Sequence, residues 1–218
     1  MSEKPSEDFS SFVKKYESQQ EGYKASYNKW AEGKDVTSMS VEEVMEEQEE
    51  ALHDNKKTEI TTGPNKGKRS SAVGLYQVTN TTLKDLVEKG VVKKTDTFDK
   101  ETQDKIGWYL LNRRGFSQFV QGKMTAKDFI KNIRLEWEGF NHASDEELIN
   151  LVERLKSEQL ESQRPQPVDE KRINEILKKD TISDKEADKY IDFGKNTGSK
   201  EHFDELNPFL KKKILGLA

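Results

Sequence analysis

Four times in this chain a serine or threonine stands three residues ahead of an acid at the head of an amphipathic stretch. The quartets are Ser40-Val41-Glu42-Glu43, Thr125-Ala126-Lys127-Asp128, Ser144-Asp145-Glu146-Glu147 and Ser183-Asp184-Lys185-Glu186. A hydroxyl at the first position accepts from a backbone N–H of the first turn, and the acid bonds back, so each quartet starts a helix. Val41, Val44, Met45 and Leu52 follow the first at helical spacing; Phe129, Ile130, Ile133 and Trp137 follow the second; Leu148, Leu151, Val152 and Leu155 follow the third. Phe9, Phe12, Val13 and Tyr16 make a similar stripe behind Ser6. Further helices are predicted from near Asn80, with Leu83, Leu86 and Val87 inward and Gly90 as the stop, and over Asp99–Arg113. The latter draws on Ile106, Trp108, Tyr109, Leu110 and Leu111 and stops at Gly115. The chain is predicted to be mainly α. Asn55–Arg69, polar and punctuated by Gly and Pro, reads as a loop with at most a short hairpin.

Composition narrows the function classes. Of the 218 residues, 32% are hydrophobic and 36% charged, which leaves a modest core under a heavily solvated surface. The absence of cysteine removes disulfides and thiolate metal sites, and His53, His142 and His202 are too scattered for a histidine metal site. No metal and no cofactor are therefore expected. A net charge of −4 opposes phosphate-driven nucleic-acid binding. The short runs Lys66-Gly67-Lys68-Arg69 and Lys211-Lys212-Lys213 read as solvated faces. No apolar run reaches the roughly 20 residues that span a bilayer, and Met1–Asp8 has no charged-then-apolar signal pattern. Synthesis in the cytoplasm is expected, with any export supplied by another agent.

The texture changes near Gln159. Gln159–Val168, with Arg164-Pro165-Gln166-Pro167, reads as a linker. Short amphipathic segments follow, around Ile173, Ile176 and Leu177, after Ser183, and from Asn207-Pro208-Phe209. The expected organisation is a domain over 1–160 and a linker with a short helical docking appendage over 161–218.

One turn stands apart from this helical pattern: Ser70-Ser71-Ala72-Val73-Gly74-Leu75-Tyr76-Gln77-Val78. Small residues there let backbone come close to a ligand or to another element, while Tyr and Gln bring stacking and hydrogen-bonding groups. Upstream, Glu17 follows the first apolar stripe, and Tyr23, Tyr27 and Trp30 form an aromatic group. Each of these alone is more often structural than functional.

Their order resembles the lysozyme-like superfamily, specifically phage muramidases and lytic transglycosylases related to the lambda-phage endolysin. The collinear pieces are Tyr16-Glu17-Ser18, Tyr27-Asn28-Lys29-Trp30, Val36-Thr37-Ser38-Met39-Ser40, Ser71-Ala72-Val73-Gly74-Leu75-Tyr76-Gln77-Val78, Thr82-Leu83, Phe98, Gln103-Asp104, Leu110-Leu111 with Arg114-Gly115, and Glu136-Trp137. They span roughly residues 9–140. The resemblance implies a lysozyme-like helical domain with a small irregular or β-hairpin lobe, cleaving the MurNAc–GlcNAc bond of peptidoglycan. It implies Glu17 as the single general acid/base, with Ser71, Gly74, Tyr76, Gln77, Tyr27, Gln103 and Trp137 as glycan contacts. Glu21 is the runner-up acid, and Glu59 is the named candidate for the second carboxylate that a hydrolase would use. The chain differs from the family at Gln19-Gln20-Glu21-Gly22, at Leu75, where arginine is commoner, and at Glu138-Gly139-Phe140 after Trp137.

The implied setting is a phage virion. There the enzyme would open the wall in the periplasm during genome delivery, docked to tail or internal-core proteins through residues 165–218. A free endolysin is also compatible. The alternative from another class is a catalytically weak or inactive structural or adaptor protein on the same frame.

Overall fold

The computed structural model describes residues 7–62 and 65–163, and among them the fold is mainly helical. Helix α1 (Glu7–Val13) buries Phe9 and Val13; Ser6, its expected cap, lies outside the described residues. The chain then widens into one π-helical turn, Lys14–Ser18, which carries Glu17. Short 3-10 turns at Gly22–Lys24 and Tyr27–Lys29 occupy the stretch expected to be irregular.

Helix α2 (Val41–Leu52) opens on the predicted capping box. Glu43 N–H donates to Ser40 Oγ at 3.2 Å, and Ser40 N–H donates to Glu43 Oε2 at 2.7 Å. A single turn, α3 (Asn55–Thr58), follows where a loop was expected. The polar segment after it folds as a small lobe closed by an antiparallel bridge between Glu59 and Arg69. Ile60 N–H donates to Lys68 O, and Gly67 N–H to Ile60 O, both at 2.8 Å. Isolated bridges of this kind are the β structure among the described residues.

Helix α4 (Asn80–Glu88) is capped by Thr79 and α5 (Lys100–Arg113) by Asp99. Gly115 does stop α5, but at φ 103° it also turns the chain straight into α6 (Phe116–Val120). That five-residue helix is too short for an apolar period to be visible in sequence; it buries Phe116 and Phe119, the latter stacked on Phe129 at 5.1 Å. Helix α7 (Ala126–Glu136) begins at Thr125 as predicted. Helix α8 (Asp145–Gln163) begins at the Ser144 box, where Ser144 N–H donates to Glu147 Oε2 at 3.0 Å and Glu147 N–H donates to Ser144 Oγ at 3.2 Å. It packs on α7 and α1.

The linker reading is corrected at its start. Gln159 is buried within α8, taking the place after Leu155 on the same helical stripe, so helix continues through Gln163. The chain divides into Met1–Gln163 and Arg164–Ala218, and the expected helical appendage lies outside the described residues.

At the centre, α5 carries a glycine in mid-helix. A Cβ on Gly107 would meet the Tyr76 ring at 2.3 Å, so only hydrogen there lets the buried tyrosine lie against the helix. Alanine normally favours a helix by about 1 kcal/mol over glycine. Here Gly107→Ala is expected instead to destabilise by about 1–3 kcal/mol through overpacking, read as a lower urea midpoint.

Candidate active site

The Ser70–Val78 turn is closed on itself and pinned from beneath. Val73 and Val78 exchange N–H···O bonds of 3.1 and 2.9 Å. Gly74 adopts φ 76°, and a Cβ there would lie 2.3 Å from Gln103 Oε1. Gln103 accepts from Leu75 N–H at 2.8 Å and donates through Nε2 to Tyr23 O at 3.0 Å and Phe98 O at 2.9 Å. Ser71 Oγ accepts from Asn80 N–H at 2.9 Å, while Gln48 Nε2 donates to Ser71 O and Val78 O. The Tyr76 hydroxyl lies 3.0 Å from Asp104 Oδ1, and Trp137 Nε1 donates to Tyr76 O at 3.2 Å.

These bonds relocate five of the residues expected to contact glycan. Ser71, Gly74, Tyr76, Gln103 and Trp137 are buried, and the structure spends their close approaches on one another. Small residues did signal an intimate backbone approach, but what approaches Gly74 is the Gln103 carboxamide. Burial also pushes the Tyr76 hydroxyl's pKa well above the usual tyrosine range. Leu75, 1% exposed, faces the core, so an arginine would not fit there unchanged.

Gln77 alone from the turn reaches a cleft of about 580 Å³, where it meets Glu17, Ser18, Tyr27, Asn28 and Lys29 and the connection Gln19–Glu21. Tyr27 N–H donates to Ala72 O at 2.8 Å, which ties that wall to the turn. Of the expected site, Glu17, Tyr27 and Gln77 are thus brought together. Glu21 joins them and Glu59 does not: Glu59 sits exposed on the bridge to Arg69.

Glu17 is half-buried at the end of the π-helical turn. Gly139 N–H, 122 residues away in sequence, donates to its Oε1 at 2.7 Å. A Cβ on Gly139 would lie 2.1 Å from Tyr16 O and 2.7 Å from that same Oε1, so no larger residue makes this contact undisturbed. Burial pushes the carboxyl pKa from 4.5 up to about 7; the Gly139 hydrogen bond opposes the rise and the charge of Glu138 adds to it. The Glu138-Gly139-Phe140 stretch, a departure from the resembling family, is therefore the segment that addresses Glu17.

Four non-glycine residues among those described have left-handed φ: Gln19 (51°), Asn28 (52°), Lys29 (55°) and Gln77 (50°). All four line this cleft. Such conformations cost about 1–3 kcal/mol each and persist where the surrounding structure enforces them, which is common at binding sites. Ser18 adds a second tension. Its Oγ is buried without a hydrogen-bond partner, and Ser18 lines the same cleft. Sequence offered no sign of the strain at Gln19 or Lys29. Asn28 alone is of a type that favours this conformation.

Among the described residues no group of three or more His, Asp or Glu side chains is arranged to hold a metal ion. No helix among them is long and apolar enough to cross a membrane. No family model matches the chain, and no curated protein or solved structure matches it either.

Proposed function

We propose that this chain cleaves the MurNAc–GlcNAc bond of peptidoglycan on a lysozyme-like frame, with Glu17 as its general acid. The observation that carries the reading is a carboxyl group pushed up to about 7 by burial in the wall of an open cleft. Breaking a glycosidic bond needs a proton on the leaving oxygen as positive charge develops on the sugar. A carboxyl group that is still protonated near neutral pH can deliver it. The Gly139 N–H fixes one oxygen of the group, which leaves the other free to face the scissile bond.

After proton donation the Glu17 carboxylate is the base for the second half of the reaction. Attack by the muramoyl 6-hydroxyl gives a 1,6-anhydro end and needs no second carboxylate. Attack by water gives a reducing end, and Glu21 is the other carboxylate in the cleft. The collinear pieces Glu17-Ser18, Tyr27-Asn28 and Gln77 lining one cleft support the lysozyme-like reading. On the resemblance alone, we extend the proposal to a virion-associated enzyme that opens the wall during genome delivery, with residues 165–218 as its docking segment.

The burial of Ser71, Tyr76, Gln103 and Trp137 favours a second reading, a structural or adaptor protein, because those groups serve the frame with or without substrate. Digestion of purified Gram-negative murein separates the two. Release of muropeptides supports cleavage, and mass spectrometry then distinguishes anhydro from reducing ends. Intact murein at every pH between 5 and 9 would leave the structural reading standing.

The proton inventory sets the pH profile. Glu17 must be protonated to start the reaction, so kcat/KM is expected to hold steady below pH 7 on this limb. Above about 7 it should fall by about tenfold per pH unit. Initial rates of murein solubilisation across pH 4–9 check this, and a rate that already falls from about 4.5 would show that the acid is not a carboxyl group with a raised pKa.

A further inference from the structure

Helix α7 ends on a charged side chain that the proton chemistry does not use. Glu136 is its last residue, and its side chain is only 8% exposed. Arg113 Nη2 donates to both carboxylate oxygens, at 2.8 and 3.0 Å, and Arg114 Nε donates to Oε2 at 2.6 Å. Both arginines stand at the C-terminal end of α5. Two further bonds tie the same helix ends: Arg114 Nη2 donates to Leu135 O at 3.4 Å, and Asn132 Nδ2 to Arg114 O at 3.1 Å. Three residues beyond Glu136 comes Gly139, whose N–H holds Glu17 Oε1 at 2.7 Å. Between them Trp137 leaves the helix at φ −119° and ψ 101°, with its indole N–H on Tyr76 O. The direction in which the chain leaves α7 therefore sets where the Gly139 N–H points.

We propose that Glu136 is a positioning residue: clamped by Arg113 and Arg114, it fixes the exit of α7 and so aims the Gly139 N–H at Glu17. Its consequence for rate rests on the glycan-cleaving reading of Glu17, whereas its hold on the Glu17 carboxyl group does not. Three charged side chains gathered out of water are a poor source of stability, because desolvation offsets their attraction. What such a cluster supplies is geometry, since charge-assisted bonds from two guanidinium groups are short and directional. The Gly139 hydrogen bond acts on Glu17 more strongly than the opposing charge of Glu138 does. Loosening the stretch that carries both is therefore expected to raise the Glu17 midpoint.

The test uses the full chain and follows the Glu17 carboxyl group by carbon-13 NMR alongside murein cleavage. Glu136→Gln is expected to lift the Glu17 midpoint from about 7 by about one pH unit, the effect of losing one hydrogen bond to a charged group. The Gly139 amide proton should move upfield as that bond weakens. At about pH 6, where Glu17 stays protonated, kcat/KM should fall by about tenfold through misplacement of the acid. Arg114→Lys keeps every charge and should raise the midpoint by a smaller amount, since an ammonium group does not reproduce the fixed Nε donor. Val44→Ala, in the buried face of α2, controls for lost stability: its melting temperature should fall with the Glu17 midpoint unmoved. Lower melting temperatures in Glu136→Gln and Arg114→Lys, with the midpoint and the Gly139 amide unchanged, would overturn the role and leave Glu136 a structural anchor. An equal midpoint shift in Val44→Ala would overturn it too, because any loosening of the fold would then move Glu17. Murein left intact by the parent chain would overturn the glycan-cleaving reading, and the midpoints would still decide for or against Glu136.

Discussion

Replacing Glu17 by glutamine is expected to remove murein cleavage and, above pH 7, to make the protein more stable. Glutamine keeps the oxygen that accepts from Gly139 N–H but has no proton to donate. General acid–base groups contribute about 10²–10⁴-fold, so a rate loss of at least about 100-fold is the expected result. The stability half follows from the direction of the pKa shift. In the fold the carboxyl group titrates near 7, above its ordinary 4.5, so the folded state holds its proton more tightly than the unfolded chain does. The stability linked to that proton is fully present below pH 4.5 and is lost as pH rises through 7. At pH 8 the ionised Glu17 therefore costs about 2–3 kcal/mol, which the neutral amide does not. Melting temperatures of the two proteins should coincide near pH 4 and separate by several degrees at pH 8. A variant that is inactive because it is unfolded would show the opposite shift.

The second large effect is expected at Gly139, a residue with no reactive group. Its added methyl in Gly139→Ala would sit 2.1 Å from Tyr16 O and 2.7 Å from Glu17 Oε1, and both are closer than real Cβ contacts come. The chain must move, and the N–H···Oε1 bond of 2.7 Å is the contact that gives way. A displacement of about 1 Å in a catalytic group can cost about 100-fold in rate, and that loss is expected here with about 1–3 kcal/mol of destabilisation. The pH profile makes the prediction specific. The lost hydrogen bond had held the Glu17 pKa down against burial, so the residual activity should show its alkaline limb shifted upward. A merely loosened fold would lose rate without moving that limb.

The helices were legible because they are local. A Ser or Thr three residues before an acid, followed by apolar residues at helical spacing, needs no partner elsewhere, and α2, α7 and α8 begin where those quartets stand. What escaped depended on distant residues. Gly107 is a helix-weakening residue until the Tyr76 ring is placed against it. Gln48 looks like a surface residue of α2 until its amide is seen holding both Ser71 O and Val78 O. The site divides in the same way. Glu17, Tyr27 and Gln77 were legible from motif order and do share one cleft. Tyr76 and Trp137 carry groups suited to a sugar, yet their positions on inward faces commit them to the core. Gly139 could not be found at all, since its importance lies in the absence of a side chain beside a carboxyl group 122 residues away.

Burial in the cleft wall is expected to keep Glu17 protonated near neutral pH. Carbon-13 NMR of the side-chain carboxyl groups, assigned by the resonance that disappears in Glu17→Gln, measures it directly. A midpoint near 7 is the expected result. A Glu17 midpoint near 4.5 would contradict the account, because the group would then be ionised at neutral pH with no proton to give.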